Sequence, residues 1–232
     1  MNDQDMLGLP GAARAFEPGA EAQDRRYGAV TFWTRSVGDL IAPTGRIVAC
    51  DPFECVDAPA FAHKVLPGHY PVRVALAQFA GTRDERIAGA VLQLRDAAPV
   101  RWESAEWVRD ADTANAEADK EGATVSAPLM DAYGVDSGFS SFMDEAAIEA
   151  LLDHIEAEDD DDYLQGRLDR LGPVGGPEWF DLPLDETNGA NILLFTSGWG
   201  DGVYPSYWGY AADDGLVCLL TDFGVVDASD FL

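Results

Sequence analysis

The sequence predicts an α+β fold: a mainly antiparallel β-sheet with one or two packed helices, in a single domain. Three observations lead to this prediction. From Val30 onward, short apolar runs alternate with turn signals, at the spacing of about 10 residues that is typical of antiparallel sheets. A clear helical segment follows at residues 144–157, and the chain from residue 191 is again rich in strand-forming residues.

The N-terminal residues 1–28 are expected to be a lead-in, partly helical or disordered, with the domain itself spanning residues 29–232. This segment is rich in Ala, Gly and acidic residues and shows no strand periodicity. Removal of the first 26 residues is therefore predicted to leave a folded protein.

Two hairpins are predicted next, each with a turn containing Pro and Gly between two apolar runs. The first pairs residues 37–41 with residues 46–50, and the second pairs residues 62–66 with residues 69–79. Two further strands are predicted at residues 87–94 and 100–108. Residues 110–122 are acidic and rich in Ala, which indicates a surface loop or a short exposed helix.

The helix predicted over residues 144–157 has Asp144 as its N-cap. Apolar residues at helical spacing are expected to face the core: Ala147, Ile148, Leu151, Leu152 and Ile155. The acidic run at residues 158–162 is expected to end the helix and to be exposed and without a ligand, because adjacent carboxylates repel one another. Residues 172–189 contain several Pro and Gly residues, which indicates a loop.

The C-terminal part, residues 191–223, is predicted to form two or three adjacent antiparallel strands without a helix. An apolar run at residues 191–196 precedes an aromatic run at residues 204–210. The turn signal Asp213-Asp214-Gly215 then leads into a last apolar run that ends near Asp222.

The composition of the chain limits the kinds of partner that the protein can bind. The 232 residues include 42 Asp and Glu against 15 Lys and Arg, a formal net charge of −27. This charge disfavours binding to the nucleic-acid backbone or to anionic lipid, and it favours cationic or neutral partners. No apolar run reaches the roughly 18 residues of a membrane span, and the N-terminus lacks the pattern of a secretory signal. The cysteines Cys50, Cys55 and Cys218 form no CxxC motif, so a cytoplasmic location without a structural zinc site is predicted.

The segment at residues 197–210 is the predicted ligand-binding loop. Glycines there leave backbone amides open to an anion, and aromatic faces can stack on a ring or a cation. Asp51 and Asp201 are expected on the walls of this site, and its face is expected to come from Trp199, Tyr204, Tyr207 and Trp208. In the alternative interpretation the aromatic residues belong to the core and Asp201 only stabilises a turn.

Acidic residues at the predicted ends of elements form a second candidate site. Carboxylates gathered there could hold a divalent cation or act as general acid and base, although each alone is more typical of a cap or a turn. The candidates are Asp51, Asp136, Asp144, Asp201 and Asp222. The sequence contains no GxSxG nucleophile motif, and its histidines show no metal-binding spacing.

Several segments together resemble a known family. They are GRIVACDPF at residues 45–53, LPGHYPVRV at 66–74, YGVDSGFSSFMD at 133–144, and SGWGDGVYPSYWGY with LVCLLTDF at 197–223. They are similar to successive motifs of the bacterial domain of unknown function 4241, over roughly residues 38–226. The resemblance implies a soluble bacterial domain and supplies no reaction.

Two functions remain open. The first is a non-catalytic binding or interaction module for a small polar ligand or a basic protein, which could be an immunity-type protein that masks a basic toxin surface; it needs no cofactor. The second is a metal-assisted hydrolase that uses the acidic residues with a divalent cation. The lack of a nucleophile motif and of a basic clamp beside the acids favours the first. The catalytic residues and the oligomeric state are left open.

Overall fold

The computed structural model describes residues 10–82, 84–108, 132–160, 162–171 and 177–232. Within these ranges the chain forms two antiparallel sheets, one of eight strands and one of four. Helices pack on the outer faces of the sheets. The predicted α+β class, with mainly antiparallel sheet and few helices, is confirmed.

The larger sheet has the strand order β1-β2-β4-β5-β12-β11-β6, with β7 pairing the first half of β11 while β6 pairs its second half. Strands are numbered along the chain. Those of the larger sheet are β1 (Glu21–Asp24), β2 (Gly28–Ala42), β4 (Gly68–Phe79), β5 (Glu85–Gln93), β6 (Arg101–Ser104), β7 (Ala132–Val135), β11 (Gly202–Tyr210) and β12 (Leu216–Asp222).

The smaller sheet has the order β3-β8-β10-β9. Its strands are β3 (Ile47–Cys50), β8 (Phe139–Asp144), β9 (Trp179–Pro183) and β10 (Asn191–Thr196). The α-helices are α1 (Gly11–Arg14), α2 (Glu145–Glu158) and α3 (Tyr163–Leu171), and short 3₁₀ turns occur at Pro52–Glu54 and Ala228–Asp230. None of the helices in the described ranges is both long and apolar enough to cross a membrane.

The side chains of β10 alternate between two layers of the core, one between the two sheets and one between the smaller sheet and the helices. Leu193 and Phe195 join the core between the two sheets, whereas Ile192 and Leu194 pack against α2 and α3. Successive side chains of a strand point to opposite faces, so a strand covered on both faces is apolar throughout. On the far side of the larger sheet, Ala12 of α1 packs with apolar residues of β5 and β12.

The first predicted hairpin is wrong, because its two strands lie in different sheets. Strand β2 pairs with β4, and β3 pairs with β8. The intervening turn carries the chain from one sheet to the other. Gly45 has a φ of +76° there, and a Cβ atom on it would lie 2.1 Å from the carbonyl oxygen of Val65. Position 45 therefore requires glycine, because the backbone of Val65 leaves no room for a Cβ atom and because the conformation is left-handed.

The second predicted hairpin is also wrong in its first strand. Residues 62–66 form no strand; the amide of Val65 instead donates to the carbonyl of Gly45, at 2.9 Å. The second strand is confirmed as β4, which pairs with β2 and β5. The strands predicted at residues 87–94 and 100–108 correspond to β5 and to the shorter β6.

Helix α2 confirms the predicted helix and its cap, because the carboxylate of Asp144 accepts from the amide of Ala146 at 3.1 Å. Of the residues expected to face the core, Leu152 is 37% exposed, since it lies beside the buried face that carries Leu151. The helix ends at Glu158, and Asp159 follows with a φ of 50°. In the acidic run, Glu158, Asp159 and Asp162 are exposed and Asp160 is half-buried, while Asp161 lies outside the described ranges.

Residues 10–28 contain the short helix α1 and also strand β1, a strand that the sequence did not predict. Strand β1 pairs with β2, and Ala12, Ala15 and Ala22 have at most 1% of their surface exposed. These small side chains produce no periodic pattern of large apolar residues, so the signal in the sequence was weak. Residues 1–9 lie outside the described ranges.

Two predictions concern the last part of the chain. Of the loop expected at residues 172–189, residues 172–176 lie outside the described ranges, and the rest is interrupted by β9, an edge strand in which only Leu182 is buried. Strands β11 and β12 are adjacent and antiparallel as predicted, while β10 belongs to the other sheet. Residues 110–122 lie outside the described ranges, so the prediction made for them stays a prediction.

Candidate functional site

Three of the aromatic residues predicted to face a ligand are buried: Tyr204, Tyr207 and Trp208. The hydroxyl of Tyr204 donates to the carbonyl of Gly200 at 2.7 Å, and its ring packs edge-on against Phe223. Burial raises the pKa of Tyr207 to about 12. These three side chains therefore pack in the core.

Trp199 differs from the other aromatic residues of the loop because 41% of its surface is exposed. Its ring stacks on Tyr27, with centroids 5.4 Å apart, and lies 5.6 Å from the ring of Phe79. The guanidinium of Arg86 lies 5.0 Å from its centroid. The indole is therefore held at the surface by an aromatic stack and a cation–π contact.

Asp51 is buried and holds two turns together. One carboxylate oxygen accepts from the amides of Asp136 and Ser137, at 3.0 and 2.8 Å. The other accepts from the hydroxyl of Ser137 and from the amide of Phe53, at 2.7 and 3.0 Å. Four donors saturate this carboxylate, so Asp51 joins the 3₁₀ turn to the turn between β7 and β8 rather than facing a ligand.

The acidic candidates do not form a metal site in the described part of the chain, where no three Asp, Glu, His or Cys side chains come together as ligands. Asp51 and Asp144 are engaged with backbone amides of different turns. Asp136 and Asp201 are exposed, and neither lines the cavities described below.

Asp222, at the end of β12, holds the start of α1. Its carboxylate accepts from the amide of Ala12 at 3.1 Å and from the amide of Gly224 at 2.9 Å. Burial raises the pKa of this carboxyl, the hydrogen bonds from these amides and from that of Gly11 oppose the rise, and the neighbouring charge of Asp227 adds to it. The folded state therefore binds a proton at Asp222 more readily than the unfolded state does.

We expect the contribution of Asp222 to stability to increase as the pH falls from neutrality. Because its pKa is raised on folding, that contribution is complete below the carboxyl's ordinary pKa of about 4 and is lost as the pH rises through the folded value. Asp213 remains ionised over this range, since its hydrogen bonds with Arg95 lower its pKa to about 2. Melting temperatures of the wild type and of Asp222→Asn, measured from about pH 7 down to about pH 4 so that the scan reaches the carboxyl's ordinary pKa, test this linkage. Equal pH slopes in the two proteins would contradict it.

An open groove of about 970 Å³ lies between α2, α3 and the turn that joins β9 to β10. Its lining comprises Ile41, Ala146, Glu149, Ala150, Asp153, His154, Arg167, and residues 183–189. We call this cavity the acidic groove.

One face of α2 lines the acidic groove. Its residues at 146, 149, 150, 153 and 154 recur at helical spacing, while Ala147, Ile148 and Leu151 face the core. The alanines at 146 and 150 leave room above the helix. Glu149 and Asp153 stand on this wall, so two carboxylates four residues apart share one face of the helix.

The opposite wall of the acidic groove is the turn after β9, which carries Asp185 and Glu186. One end of the groove is fixed by contacts around Tyr163. The ring of His154 stacks on it at 5.0 Å and Nε2 of His154 lies 2.7 Å from the carbonyl of Leu184, to which it donates. The guanidinium of Arg167 donates to the hydroxyl of Tyr163 at 2.9 Å.

Sequence reasoning missed the acidic groove. Glu149 and Asp153 lie on the solvent side of an amphipathic helix, where acids are usually only solvated. Their spacing was visible in the sequence, but the facing wall comes from a turn more than 30 residues further along the chain. No local pattern could bring the two walls together.

A second cavity, a cleft of about 250 Å³, lies beside the start of the predicted ligand loop. We call it the Gly198 cleft. It is lined by Asp84, Glu85, Arg86, Ile87, Gly138, Pro177, Thr196, Ser197, Gly198 and Gly200. The predicted loop thus borders a cavity at residues 197–200, although none of the six residues chosen for the site from the sequence lines it.

Comparison with known proteins identifies the family. No curated protein and no solved structure matches the chain. The family model described as "Protein of unknown function (DUF4241)" matches residues 40–221, which include both sheets apart from β1, most of β2 and the last residue of β12. The chain therefore belongs to the DUF4241 family.

Proposed function

We propose that this protein is a non-catalytic binding module that takes a basic segment of a protein partner in the acidic groove. The observation that carries the proposal is the pair of facing acidic walls, Glu149 and Asp153 on α2 and Asp185 and Glu186 on the turn after β9. A segment lying between them would meet carboxylates on both sides.

The charges and the shape of the groove support a basic occupant. Four carboxylates line it against one guanidinium, and Arg167 already donates to Tyr163 and to the carbonyl of Pro183. Ile41, Ala146 and Ala150 contribute apolar surface on which the methylene stems of Lys or Arg can lie. The net charge of −27 would accelerate encounter with a cationic partner.

The groove offers less support for catalysis. His154 is stacked on Tyr163 and its Nε2 is hydrogen-bonded to a backbone carbonyl, which suits a positioning role better than proton transfer. The alternative metal-assisted hydrolase would need several acids gathered as ligands, and no three such side chains come together among the described residues. An immunity-type protein that masks a basic toxin surface is one form of the proposed function.

We expect Glu149→Lys/Asp153→Lys to weaken binding of a basic peptide at least about tenfold, because two attractive pairs become repulsive. The probe is a fluorescein-labelled peptide of alternating Lys and Ala, followed by fluorescence anisotropy at physiological ionic strength. Ala150→Trp, which fills the floor of the groove without changing the charge, should also weaken binding.

The matched control is Asp136→Lys/Asp201→Lys. It changes the net charge of the protein by the same amount at two exposed positions that line neither cavity. We expect it to weaken binding by less than about twofold, since screening limits the effect of distant surface charges. Equal losses in both double variants, or unchanged binding in the groove variants, would contradict the proposal.

A further inference from the structure

We propose that the Gly198 cleft is a second binding site, which takes a small ligand with a carboxylate or phosphate group paired to Arg86. The cleft shares no lining residue with the acidic groove. Its volume of about 250 Å³ suits a small molecule or a head group rather than a protein segment.

Arg86 lies in the cleft in a fixed orientation. Its Nε and Nη2 face the carboxylate of Asp84, at 2.9 and 3.3 Å, and its guanidinium lies 5.0 Å from the ring centroid of Trp199. Among the described residues, Nη1 has no acceptor, and the side chain is 36% exposed. The outer edge of the guanidinium, between Nη1 and Nη2, is thus available for a planar anion.

The cleft wall opposite Arg86's strand is largely backbone. Gly138 and Gly200 have φ angles of +75° and +103°, and no atom lies within 4 Å of the position that a Cβ would occupy on either. The conformation requires glycine, and no neighbouring side chain fills the space that glycine leaves. A ligand can therefore approach the backbone of both turns closely.

Nearby positive charge and aromatic surface also favour a ligand whose anionic group is attached to a planar ring. The guanidinium of Arg26 lies 5.1 Å from the ring of Tyr27, which stacks on Trp199. Two guanidiniums therefore flank one exposed aromatic stack in an otherwise acidic protein. At physiological salt the Debye length of about 8 Å screens the more distant carboxylates. Glu85 is the lining acid that opposes an anion, because Asp84 is paired with Arg86.

Because Arg86 attracts an anion and Glu85 repels it, substitutions of these two residues should change the affinity for an anion in opposite directions. The probes are inorganic phosphate and benzoate, titrated at constant ionic strength into the full chain and followed by the ¹H–¹⁵N amide signals of Gly198 and Gly200 and the indole signal of Trp199.

We expect Arg86→Gln to weaken binding of either probe about tenfold or more, since a charge-assisted hydrogen bond is lost. Glu85→Gln should strengthen it about two- to fivefold, because a nearby like charge is removed. If Arg86→Gln fails to fold, Arg86→Lys replaces it; this variant keeps the charge but loses the planar fork of donors, so it should bind both probes more weakly than the wild type does. Absence of shifts at millimolar probe, or weaker binding in Glu85→Gln, would overturn the proposal.

Discussion

Asp144→Ala is expected to lower the free energy of unfolding by about 3–5 kcal/mol. The carboxylate is completely buried and accepts from the hydroxyl of Thr44 at 2.8 Å, the amide of Gly45 at 2.8 Å and the amide of Ala146 at 3.1 Å. Alanine would leave these donors without an acceptor inside the protein and would remove the N-cap of α2. Each unsatisfied buried donor costs about 1–3 kcal/mol, and losing the cap costs about 1 kcal/mol.

The effect of Asp144→Ala should be large because the residue connects three parts of the fold. It ends β8, begins α2 and holds the turn by which the chain passes from the larger to the smaller sheet. Urea unfolding measures the change. Asp201→Ala is the control: this exposed residue should change stability by less than about 0.5 kcal/mol. A cost below about 1 kcal/mol for Asp144→Ala would show that water replaces the lost acceptor.

Removal of residues 1–26 is expected to destabilise the protein by about 3 kcal/mol or more, which reverses the prediction made from the sequence. The deletion removes α1 and β1, leaves β2 as an unpaired edge and exposes apolar residues of the larger sheet, including Leu220. It also removes the amide of Ala12, which donates to the carboxylate of Asp222, and it removes the β-bridge between Ala22 of β1 and Phe231.

Thermal and urea unfolding of the truncated chain test this expectation. A second deletion, of residues 1–9 only, is the matched control because it leaves every contact described here in place. We expect the longer deletion to have a clearly lower melting temperature and a clearly lower urea midpoint than the shorter one. Equal midpoints would show that α1 and β1 contribute no net stability, as the sequence-based interpretation assumed.

Local patterns predicted the elements whose formation depends on neighbours in the chain. Helix α2 and its cap Asp144 were predictable because helical periodicity and capping act within a few residues. Strands β4, β5, β11 and β12 were predictable because β-branched and aromatic runs end at Gly- and Asp-containing turns.

Strand pairing was not predictable in the same way. Residues 37–50 look like a hairpin, yet β2 and β3 enter different sheets, and the turn between them is bound by the buried carboxylate of Asp144, about 100 positions further along the chain. Strand β1 was missed because its packing depends on alanines and on an edge position rather than on large apolar side chains.

The amino-acid sequence by itself determined the class of the fold, the family, the strong negative charge and the position of a glycine-rich segment that borders a cleft. Only the tertiary structure decided which acids face solvent, which aromatic residues enter the core, and where cavities form. The physical reason is that burial and hydrogen bonding depend on groups brought together from distant parts of the chain. Asp51 accepts from two amides some 85 residues away, whereas Glu149 and Asp153 face an acidic turn that no local pattern places opposite them.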